Sequence, residues 1–123
     1  MRNEKAAALQ QYLDGQIASC KKEAEKLTEE VRTDESVFAV IRTNIFDIFR
    51  TVLSVAEELC GEDEAKLQEF IQSRLAQIPQ NWNESLERAR ANNDVEMAHI
   101  ERLKLEAVAD IEKEFVRIWG LEA

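Results

Sequence analysis

Glycine, proline and histidine are scarce in this 123-residue sequence, at three, one and one. Sheets and long loops draw on turn residues, so the shortage argues against a β-rich architecture. Three glycines leave no room for a Gly-rich phosphate loop. A single histidine leaves no Ser-His-Asp set and no zinc cluster to propose. The longest unbroken apolar run is Val37–Ile41, far short of the ~20 residues of a membrane span, and no secretory core follows the charged N-terminus. No stretch gathers Lys and Arg into a phosphate-tracking surface, and the formal charge is −9, so neither nucleic acid nor an anionic membrane is an expected partner.

What remains is typical of a folded helical chain. Apolar residues make up 45% and charged residues 33%, too apolar for disorder and of a length suited to one domain over residues 1–123. Leu9, Leu13, Ile17, Cys20, Ala24, Leu27 and Val31 recur every three or four positions and predict a first helix near residues 3–31. Gly15 falls off that stripe and suggests a mild kink or a close helix contact. Thr33 as cap and Asp34–Glu35 in the first turn predict a second helix over 34–60, closed by Gly61. Its apolar residues, from Val37 to Leu59, cover about half the cylinder, which marks it as the central helix.

Asp63 opens a third helix to Ile78, where Pro79 is expected to stop it and turn the chain. Asn81 with Glu84 resembles a capping box, and a helical phase then persists from Trp82 to Ile118. That persistence predicts one long helix over 81–119, unless Asn92-Asn93-Asp94 breaks it. The expectation is an all-α antiparallel bundle of four helices, or five with the break, ending in a long C-terminal helix. Cys20 and Cys60 fall about 20 Å out of register in a hairpin of the first two helices, too far for a disulfide. They read as buried free thiols of a cytoplasmic protein.

Few residues suggest chemistry. Arg42 projects among Phe38, Ile45, Phe46 and Phe49, where a cation needs a partner; Glu23 lies at matching height, and the functional version is an anion-binding arginine. Glu96 and His99 have the Glu-x-x-His spacing of di-iron bundles, but with one histidine a second copy would be needed to complete a site. No cofactor is implied. The expected function is therefore a non-enzymatic helical interaction module, self-associating or docking another helical protein. The alternative is a ligand- or metal-binding bundle using Arg42 or the Glu96/His99 pair.

Self-association has a geometric basis. If the chain reverses at Pro79, an unbroken last helix of nearly 60 Å overhangs helices of about 40 Å. Ile111, Phe115, Ile118 and Trp119 would then stand bare and form a homodimer interface.

Overall fold

The computed structural model describes residues 2–122 and contains five helices, α1 Glu4–Glu29, α2 Thr33–Cys60, α3 Glu64–Gln77, α4 Gln80–Ala91 and α5 Val95–Trp119. No strand occurs among the described residues. The chain is an all-α helical bundle.

Side-chain caps start three of the helices. Asn3 accepts from the backbone N–H of Lys5 and Ala6, Asp63 from Lys66, and Asp94 from Met97, each satisfying donors that a helix start leaves unpaired. The α1–α2 turn is built otherwise. Arg32 N–H donates to the Leu27 carbonyl and Val31 N–H to that of Thr28, the paired bonds of a Schellman closure. Val31 holds the left-handed position, with φ 59°, a place where glycine is usual and a β-branched residue is strained. Consequently α1 ends at Glu29 rather than Val31, and Thr33 is the first helical residue of α2 rather than its cap.

The expected reversal at Pro79 does not occur. Ile78 and Pro79 both keep right-handed helical backbone, φ −58°, ψ −44° and φ −76°, ψ −4°, and α4 starts at once without a side-chain cap. A proline with helical φ removes one hydrogen bond and bends the path while the chain keeps its heading. The Asn81–Glu84 capping box is therefore absent from the fold. The chain turns instead at Asn92–Asp94. Asp94 N–H reaches the Ala89 carbonyl, Asn93 N–H that of Arg90, and Asn93 takes φ 55°. Asparagine tolerates that conformation better than most residues.

Moving the turn changes the architecture. The α3–α4 segment runs from Glu64 to Ala91, about 40 Å, and α5 returns along it. Trp119 meets Glu64 at one end, Lys104 lies over the Trp82 ring in the middle, and Leu86 and Ala89 pack with Ala98 near the other. α1 and α2 form the second antiparallel hairpin, tied by Arg2–Glu57, Arg50–Asp14 and the Ser36 hydroxyl donating to the Ala24 carbonyl. Phe38 packs edge-on against His99 near the starts of α2 and α5, with ring centres 4.6 Å apart, and Lys5 donates to the Trp119 carbonyl at the end where Arg2 pairs with Glu57, so α5 runs parallel to α2.

The two hairpins therefore have equal height, and no overhang exists. Ile111, Phe115 and Trp119 are buried in the main core with Leu9, Leu13, Phe46, Leu53, Leu67 and Ile71, and Ile118 packs partly against it. The premise for an interface on the last helix is overturned, because α1, α2 and α3 cover these side chains within the chain. Toward the far end the two hairpins keep separate small cores, one of Ala24, Leu27 and Ala39, the other of Leu86, Ala89 and Ala98.

Candidate functional site

α2 carries more apolar residues than its neighbours can cover. Its inner side buries Ala39, Ile45, Phe46, Phe49, Leu53 and Ala56 against α1 and α5. A second apolar set follows the spacing 37, 41, 44, 48, 52, 55, 59. In projection Val37, Ile41, Asn44, Ile48, Val52, Val55 and Leu59 all fall within about 40° of Ile48. No charged residue shares that strip between Val37 and Leu59. Val37 and Leu59 are 50% and 70% exposed, and Ile48 and Val55 are exposed between them, while Ile41 and Val52 are half-covered.

Single exposed aliphatics need no explanation, but a contiguous charge-free row about 33 Å long does. The row went unseen in the sequence because both apolar sets merge into one broad face. The outer set repeats as four-three-four, eleven residues in all, in its own phase.

The residues with suspected chemistry, Arg42 on α2 and the Glu96/His99 pair on α5, form no hydrogen bond or ion pair with one another. Arg42 is half-buried, and its charge is felt by the thiol of Cys20 and the phenol of Tyr12 on α1. Burial pushes the Cys20 thiol up. Arg42 and a contact from Thr43 oppose that shift, while Glu23 adds to it. Burial likewise raises the Tyr12 phenol, reinforced by Asp110 and Glu114. Glu23 itself is exposed, and no carboxylate among the described residues stands within ion-pair distance of Arg42. The expected Arg42–Glu23 pair is not formed: Arg42 is half-buried, while Glu23 is exposed.

His99 packs its ring on Phe38, and Glu96 lies exposed in the first turn of α5. Among the described residues no three His, Cys, Asp or Glu side chains gather as a metal set. Cys20 is buried and Cys60 only partly so, both as free thiols, which corrects the expectation of two buried cysteines.

One polar residue escaped the sequence reading. Glu101 is buried, with one carboxylate oxygen accepting from Lys104 at 3.2 Å and the other unpartnered. Lys104 also stands 5.6 Å above the centre of the Trp82 ring. Glu101 lies in the apolar phase of α5, three residues after Ala98 and ten before Ile111, which was the available signal.

No family model matches the chain, and neither a curated protein nor a solved structure matches it at a significant level. No helix is long and apolar enough to cross a membrane among the described residues.

Proposed function

We propose that this chain is a non-enzymatic helical interaction module whose working surface is the outer face of α2. The observation that carries the reading is the row Val37, Ile41, Ile48, Val52, Val55 and Leu59, free of charge and left partly or largely open by the chain's own packing. An amphipathic helix offered along its length suits a helical partner, which would bury the same row by side-by-side packing. The ligand- and metal-binding alternative has only the isolated Glu96/His99 pair and Arg42 behind it, with no third His, Cys, Asp or Glu beside them among the described residues. Free Cys20 and part-exposed Cys60 suit a reducing, cytoplasmic setting.

A photo-crosslinking residue at position 48, compared in the host cell with one at the exposed Glu25 of α1, tests this. Discrete adducts at 48, absent at 25 and abolished by Val55→Glu, are the expected result. Equal labelling at the two positions, or none at either, would remove the reading.

A further inference from the structure

Resting on that reading, we infer that residues 80–104 open as a unit while the main core stays closed, and that this opening completes the α2 docking face. The row alone is small. About 33 Å long and roughly 10 Å wide, it offers about 330 Å², under half of the ~800 Å² per partner in a standard interface. Phe38 stands at its edge, next to Val37 and one turn before Ile41, half-buried and with its ring against His99. Release of His99 bares that ring and widens the face with an aromatic side chain.

The bundle is fastened unequally at its two ends. At one, Lys5 of α1 donates to the Glu64 carboxylate at 3.0 Å and to the Trp119 carbonyl at 3.5 Å, so α1, α3 and α5 are tied together. At the other, the side-chain bonds of residues 80–104 stay within the segment: Arg90 to Glu87, Lys104 to Glu101, and Asp94 to the N–H of Met97. Its apolar packing is thin, with Leu86, two alanines and the half-buried Leu105, while Val95 and Met97 are exposed. Regions with so few buried apolar contacts open at a lower free energy than the whole fold. Pro79 marks the boundary. It offers no N–H to the helical ladder, and α4 starts there without a side-chain cap, so α4 can unwind without drawing on α3. Glu101 supplies the bias. Its buried, unpartnered carboxylate oxygen is penalised while the segment is packed and is hydrated once it opens.

Hydrogen–deuterium exchange of the full chain, resolved amide by amide, tests the opening, and photo-crosslinking at position 48 tests its consequence. Amides of residues 84–90 and 98–103 should exchange on the order of tenfold or more faster than those of 48–56 and 108–116. Glu101→Met should slow the segment about tenfold, the penalty of one unsatisfied buried polar group, and reduce the adducts at 48. His99→Ala should speed it by roughly threefold to tenfold, the worth of one aromatic contact, and increase them. Circular dichroism checks that both variants keep their helix. Equal protection of the two sets of amides in the unaltered chain, or exchange unmoved by Glu101→Met, would overturn the proposal. So would adducts at 48 indifferent to both variants, an outcome that leaves the interaction-module reading standing. No adduct at 48 in any form removes that reading and the proposal with it.

Discussion

The indole Nε1–H of Trp119 donates to the backbone carbonyl of Glu64 at 3.4 Å, joining the last turn of α5 to the first turn of α3. The Phe115 ring lies 4.7 Å from that of Trp119, and both are buried. Trp119 thus closes the end of the core. Trp119→Ala should lower stability by about 3–5 kcal/mol, and Trp119→Phe by less, since it keeps an aromatic ring while losing a hydrogen bond worth about 1 kcal/mol. Urea denaturation at a fixed protein concentration measures both. A near-neutral Trp119→Ala would mean the core is not closed there.

Val31 is 83% exposed and held at φ 59°. Left-handed backbone costs an L-residue about 1–2 kcal/mol, and so exposed a side chain gives little packing in return. Val31→Gly should therefore raise stability by about 1 kcal/mol, after part of the relief is offset by glycine's greater freedom in the unfolded chain. A few degrees of increase in thermal midpoint is the expected reading.

Gly15 lies within an unbroken α1, and a Cβ there would meet nothing within 4 Å. The kink or close contact that its position suggested is therefore not its role. Gly15→Ala should stabilise by up to about 1 kcal/mol through helix propensity alone. A loss of stability in the melting curve would contradict the open space around it.

Glu101 and Lys104 form an unequal pair, the carboxylate buried and the ammonium about one-quarter exposed. Replacing the buried acid by an apolar residue of similar length, Glu101→Met, should be neutral or stabilising, because the unpartnered oxygen disappears. Lys104→Met leaves that carboxylate without its cation and should cost about 2 kcal/mol, less than a fully buried pair would. The sign of the difference between the two variants, read by denaturant midpoint, is the test.

The two thiols should separate by reactivity. Burial raises the Cys20 thiol, lowering its thiolate fraction at neutral pH, and shields it from reagents. Iodoacetamide should modify Cys60 first in the folded protein and Cys20 only as the chain opens. Peptide mapping after timed quenching reports the order, and prompt alkylation of Cys20 would indicate a looser α1–α2 contact.

Much of this fold is legible residue by residue. The stripe from Leu9 to Leu27, the cap at Asp63 and the glycine after Cys60 are local signals, because caps and left-handed turns act within a few residues of backbone. The persistent phase from Trp82 to Ile118 favours one unbroken helix, and the chain instead breaks at Asn92–Asp94. Pro79 is the instructive case. Its ring excludes one hydrogen bond but is compatible with either a bend or a reversal, and the chain bends. That one choice set α3–α4 level with α5, buried Ile111, Phe115 and Trp119, and removed the overhang on which the first interface rested.

The sequence by itself determined that the chain is helical, which residues share each helical face, and where α1, α2 and α3 begin and end to within a few positions. Periodicity follows from backbone geometry, so composition and spacing suffice for it. Only the tertiary structure decided which of those faces are covered. Burial depends on where the chain reverses and which neighbours then lie alongside, and no spacing rule carries that information. Hence Phe115 is core, Arg42 lies away from Glu23, and the row from Val37 to Leu59 on α2 is the face left open.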